Sequence, residues 1–133
     1  MKLSFRGLSI ATSLLFLLIG SLWLLAPGLP LSDWGLALTP SASVLGRRSA
    51  ALYVGVAAMF FLARNAEPST ARSALAKGLV LIGLMLAAIG VVDFATGRVS
   101  PHILVAVALE VSLALAFLYV GRSQPLRSRA GRR

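Results

Sequence analysis

The chain has 133 residues, room for one compact domain, and 58% of them are hydrophobic while only 13% are charged; a soluble domain carries about 25% charged residues. So short a chain cannot hide that much apolar surface from water, so lipid is the expected solvent. The absence of cysteine and the single histidine exclude disulfides, thiol redox chemistry and a multi-histidine metal site, and no cofactor is expected.

Four apolar stretches are predicted to be helices, giving an all-α, transmembrane four-helix bundle in a single membrane domain. The first covers residues 8–26 and ends at Pro27-Gly28-Leu29-Pro30. It has a basic start, Lys2 and Arg6, but no small-x-small cleavage pattern at its end, so it is expected to be retained rather than removed as a signal peptide. Residues 27–46 follow, with Leu31, Trp34, Leu36 and Leu38 among turn formers. They are expected to rest on the membrane surface, with Trp34 at headgroup level.

The second stretch, 44–63, is the shortest in uncharged residues. Only 15 lie between Arg48 and Arg64, about 22 Å of helix at a rise of roughly 1.5 Å per residue. To span a hydrocarbon core of about 30 Å, it must draw in Arg47 and Arg48, their charged heads snorkelling to the interface. The third stretch, 78–95, follows a polar loop containing Asn65-Ala66-Glu67-Pro68-Ser69, where proline suits a helix restart. The fourth is 102–120. Residues 121–133 form a basic tail with Pro125, expected to be disordered and able to hold anionic lipid.

The net charge of +9 is distributed by side. The N-terminus, the middle loop and the tail hold ten of the 13 Lys and Arg residues; the other two loops hold Arg47, Arg48 and Arg98. The positive-inside rule then places both termini on the cytoplasmic side. The same interleaving with apolar runs argues against a nucleic-acid partner.

Glu110 is the most informative side chain. It lies eight residues into the fourth run, about 12 Å deep, where an ionisable group costs roughly 2.5–3.5 kcal/mol. Such a group is expected to face the bundle interior. Ala106 and Ala114 flank it at i−4 and i+4, which lets another helix approach. Asp93 shares a face with Gly90, Leu86 and Gly83 on the third helix. Arg48 is the expected ion-pair partner for Asp93 or Glu110, since its planar fork suits carboxylates, and Tyr53 could donate a hydrogen bond to this buried polar cluster. Arg47 and His102 are possible contributors. Neither phosphate-binding glycine pattern is present, and no nucleophile, base and oxyanion set can be assembled, so no catalytic residue is assigned.

The run Gly46-Arg47-Arg48-Ser49-Ala50-Ala51-Leu52-Tyr53-Val54-Gly55, closing at Ala63-Arg64, together with Asp93 and Glu110, resembles small bacterial four-helix membrane proteins near the DoxX-like group. The resemblance covers most of the chain from Leu8 to Val120. It implies the fold and a bacterial inner membrane, and no established reaction. Three functions are compatible with the residues. One is an accessory or interaction subunit built round the polar clamp, as a homo-oligomer or with a membrane partner. Another is a small proton-coupled transporter using Glu110. The third is the membrane subunit of a quinone-linked redox complex.

Overall fold

The computed structural model describes residues 4–122, and every regular element among them is an α-helix. The order is α1 (Phe5–Leu25), α2 (Gly28–Asp33), α3 (Pro40–Ala63), α4 (Thr70–Ala95) and α5 (Ile103–Arg122). Four of these, α1, α3, α4 and α5, are long and apolar enough to cross a membrane. The basic tail from residue 123 onward lies outside the described residues.

Helix starts explain where the structure departs from the expected boundaries. Thr39 accepts a hydrogen bond from the Ala42 amide (3.1 Å) and Pro40 opens the first turn, so α3 begins four residues before the expected 44 and reaches 24 residues. This extra turn supplies the length that the apolar count alone lacked. Ser69 caps α4 in the same way, through the Arg72 amide at 3.2 Å. That helix therefore begins eight residues before 78 and carries Arg72, Ser73 and Lys77 on its first turns. Ser4 caps α1 through Gly7. At the other end of the chain, α5 continues through Gly121 and Arg122, which were assigned to the tail.

The helices pack as two antiparallel pairs, α1 with α3 and α4 with α5, and the pairs meet mainly through α1 and α5. Each pair closes on small residues. Between α1 and α3, a Cβ built on Gly20 would stand 3.2 Å from the Ala50 carbonyl oxygen, and one on Gly46 only 2.6 Å from the Trp23 ring. Between α4 and α5, a Cβ on Gly83 would stand 3.2 Å from the Glu110 carbonyl oxygen, and one on Gly90 2.7 Å from Val107. In lipid, where apolar side chains gain nothing by leaving the solvent, this close backbone approach provides the packing that holds helices together.

The two ends of the bundle are built differently. One, the basic end, holds the start of α1, the end of α3, the start of α4 and the end of α5, with Arg6, Arg64, Arg72, Lys77 and Arg122. There all four helices converge on a core containing Phe5, Phe60, Leu79, Val80, Phe117 and Val120. Phe117 meets Phe60 and Phe5 edge-on, at 5.1 and 6.3 Å between ring centroids.

The opposite end is held by a strap. Helices α2 and α4 both finish in Schellman turns. Leu36 N–H donates to the Leu31 carbonyl and Gly35 N–H to that of Ser32; likewise Arg98 N–H donates to Asp93 and Gly97 N–H to Phe94. The residue that reverses the chain must take positive φ, and glycine does so without a Cβ penalty: Gly35 at 74° and Gly97 at 68°. The two turns then bond to each other. Ser100 N–H donates to the Trp34 carbonyl (2.9 Å) and Ser100 Oγ to that of Asp33 (2.6 Å). His102 Nδ1 lies 3.2 Å from the same Asp33 oxygen and 3.7 Å from the Asp33 carboxylate. Residues 27–39 thus form a bridge from the α1–α3 pair to the α4–α5 pair.

Candidate functional site

Between the strap and the aromatic core the helix pairs stand apart, and a cavity of about 180 Å³ opens between them. Its walls are apolar: Phe16 and Ile19 from α1, Ile82 and Leu86 from α4, Leu109 and Leu113 from α5. Trp23 and Trp34, their rings tilted against each other with centroids 5.7 Å apart, lie at the strap side. Trp34 is therefore turned into the cavity. Its place follows from the Schellman turn, which reverses the chain directly after it.

Glu110 is the one acidic residue that lines this cavity, and Tyr53 lines it from the opposite pair. The backbone explains why the carboxylate is presented there. Gly83 lets α4 lie against the Glu110 carbonyl, and Ala114, buried one turn further on, fills the seam below. The side chain then emerges beside the seam, into the gap between pairs. Tyr53 is fixed by its ring, 5.8 Å from that of Phe16. The Glu110 charge is within electrostatic reach of the Tyr53 phenol. Neither side chain makes a hydrogen bond or ion pair with another described residue.

The expected four-residue cluster of Arg48, Asp93, Glu110 and Tyr53 is not assembled. Tyr53 and Glu110 share the cavity, but Arg48 and Arg47 are both exposed, and neither lines it nor forms an ion pair among the described residues. Because α3 begins at Pro40, Arg48 lies two turns inside the helix on a face turned away from the bundle. Its long stem leaves the guanidinium free to reach the interface. Asp93 pairs instead with Arg98, Nη1 to Oδ1 at 3.2 Å, across the turn that ends α4. With both side chains partly in solvent, this pair contributes little, on the order of 0–1 kcal/mol. His102 belongs to the strap and not to the cluster.

A second polar feature escaped the sequence reading. Ser9, Thr12 and Ser13 are all buried on the inward face of α1. Ser13 Oγ donates to the Ser9 carbonyl at 2.9 Å, while Ser9 Oγ and Thr12 Oγ1 are sealed from solvent with no partner among the described residues. Spacing i, i+3, i+4 of small hydroxyl residues in an apolar helix was the available signal. Hydroxyls carry no charge, so hydropathy and charge leave them unmarked in an apolar helix.

Comparison with models of protein families, with curated proteins and with solved structures gives no match for this chain. No group of acidic and histidine side chains suited to a metal ion occurs among the described residues. The chemistry on offer is therefore that of one carboxylate, one phenol and two indoles round an apolar space. Such a space suits a small, mostly hydrophobic molecule with a single positive centre: aromatic faces attract cations, and a carboxylate in a place of low dielectric attracts them strongly.

Proposed function

We propose that this chain is a four-span protein of a bacterial plasma membrane, with both termini cytoplasmic, whose cavity takes up a small hydrophobic cation in exchange for a proton at Glu110. The membrane side rests on the ten-to-three asymmetry of basic residues, and the bacterial setting on the resemblance to DoxX-like proteins. The observation that carries the activity is the unpaired carboxylate in an apolar cavity. A clamp that only ties helices together needs a partner for Glu110, and among the described residues none bonds to it. An ionisable group retained at that depth without a partner is favoured where a ligand or a proton supplies the missing interaction. The accessory-subunit and quinone-linked readings have no such feature behind them.

Benzyltrimethylammonium and its uncharged isostere neopentylbenzene test this reading. Trp23 and Trp34 line the cavity, so occupancy is read from their fluorescence in detergent. The cation is expected to quench with saturation, more strongly at high pH than at low, and Glu110→Gln is expected to abolish the response. Equal binding of the two isosteres, or full binding by the Gln variant, would remove Glu110 from the activity.

A further inference from the structure

Glu110 lies in the middle of the bundle, so a proton exchange there needs a path by which protons arrive and leave. The polar side chains without a role are the hydroxyls of α1. Ser9 and Thr12 are wholly buried, at 0% exposure, and neither hydroxyl has a hydrogen-bond partner among the described residues. We propose that Ser9, Thr12 and Ser13 relay protons between the basic end and the Glu110 cavity, with water entering the helix core to complete the chain.

The position of the three hydroxyls carries this assignment. A cleft of about 410 Å³ at the basic end is lined by Phe5 from α1, Val80 from α4 and Phe117 from α5. The Glu110 cavity is lined by Phe16, Leu79 and Ala114 from the same three helices. Leu79 and Val80 are adjacent, and Ala114 precedes Phe117 by three residues, so on α4 and α5 the two spaces lie within roughly 4.5 Å of each other along the helices. On α1 the segment between them is residues 6–14, and its buried positions are Leu8, Ser9, Thr12 and Ser13. The partition between the spaces is therefore polar on its α1 side, although α1 is otherwise an apolar helix.

The state of the hydroxyls explains how such a partition would work. A serine or threonine in a helix ordinarily satisfies its proton on the carbonyl one turn back, and Ser13 does so on Ser9 at 2.9 Å. Ser9 and Thr12 leave theirs unused. A buried hydroxyl without a partner is unfavourable, so a water that enters and bonds to both recovers a loss that an apolar partition would not offer. At i and i+3 the two side chains leave the same face of α1, within reach of one bridging water. Each oxygen then accepts a proton from one side and gives up its own to the other, and the transferred proton ends as the O–H of the Glu110 carboxyl group, or makes the reverse journey when a cation displaces it. Both oxygens are sealed from solvent, so the path is closed until water enters. Closure of this kind suits a bundle in which proton movement must wait for a cation.

The relay rests on the reading of Glu110 as the proton-binding group, and its test follows that proton with no cation present. The full chain in lipid nanodiscs receives protons released by light from 2-nitrobenzaldehyde. Time-resolved infrared spectroscopy follows the carboxylic-acid band that Glu110→Gln lacks. Ser9→Ala with Thr12→Val is expected to slow the rise of this band about tenfold, equivalent to roughly 1.4 kcal/mol on the barrier. Thr12→Val alone, which keeps the shape of the side chain, is expected to slow it as well, whereas Thr12→Ser, which keeps the hydroxyl, should rise at the parent rate. Thermal unfolding of all these variants should match the parent, because neither hydroxyl has a described partner to lose. A parent rate in the Ala and Val variants, or equal slowing by Thr12→Ser, would overturn the relay and leave the hydroxyls a packing role. A parent chain whose band never rises on acidification would overturn the relay and the exchange together. Slowing as expected in a chain that fails to bind benzyltrimethylammonium would overturn the exchange and leave the relay standing.

Discussion

The two ends of the bundle solve the same problem in opposite ways. At the basic end, three phenylalanines from α1, α3 and α5 meet in a buried cluster that joins the helix pairs by packing, beside an open cleft. At the strap end the pairs are joined by a few hydrogen bonds between two turns, and the space between them stays open. The difference lies in how the pairs are joined, by ring packing at one end and by backbone turns at the other. A well-packed core is costly to disturb, whereas a gap bridged by surface turns can accept a ligand with little strain. Glu110, an unpaired carboxylate that lines a cavity, lies in the strap half.

Mutations that exchange the character of the two halves should break this contrast, and the largest effect belongs to the packed one. Phe117→Ala removes the ring that touches both Phe5 and Phe60, and thermal unfolding in detergent should show a loss of about 3–5 kcal/mol. A loss below about 1 kcal/mol would mean that the aromatic cluster is not what joins the pairs. Next comes Gly83→Leu, in the seam of α4 and α5. Its Cβ meets a backbone carbonyl oxygen at 3.2 Å, which cannot rotate away, so overpacking should cost about 1–3 kcal/mol in the same assay. An unchanged melting curve would count against the seam.

The strap should be weaker. Ser100→Ala deletes one hydrogen bond to the Asp33 carbonyl while leaving the Ser100 amide bonded to Trp34, so stability should fall by about 1 kcal/mol. Tryptophan fluorescence should change as well, because Trp34 sits in the turn released. A stability loss as large as that of Phe117→Ala would show that the strap, not the core, holds the pairs together. The smallest effects sharpen the assignment of Glu110. Glu110→Gln and Arg48→Ala should each change stability by less than about 0.5 kcal/mol, since neither side chain has a partner to lose. If Arg48→Ala instead cost several kcal/mol, the two would form a buried pair after all.

Much of the fold was legible because lipid imposes simple demands. Apolar runs near 20 residues, interrupted by charge and proline, have few outcomes other than helices, and all four appear. The boundaries are set by caps rather than by hydropathy. Thr39 with Pro40, and Ser69, were visible as helix starts, yet hydropathy drew the edges further in because capped turns at an interface are polar. The site was half legible. The depth of Glu110 and its small flanking residues marked an inward face, and the cavity contains it. The Arg48 pairing was not legible, because the face that α3 turns to its neighbours is set by the Gly20–Ala50 and Gly46–Trp23 contacts, which sequence distance does not express.

The sequence by itself determined the solvent, the helical class, the rough spans and the one deep carboxylate. Each depends on composition and on neighbours along the chain. Tertiary structure alone decided that α1 joins α3 and α4 joins α5, that an aromatic cluster joins the pairs at one end and a strap of turns at the other, and that Trp34 faces inward. It also decided that Arg98, five residues away, takes Asp93, while Glu110 faces a cavity instead of an arginine. Those outcomes depend on which seams of small residues meet. Helices in lipid gain no hydrophobic energy by associating, so the choice falls to close packing between partners far apart in the chain.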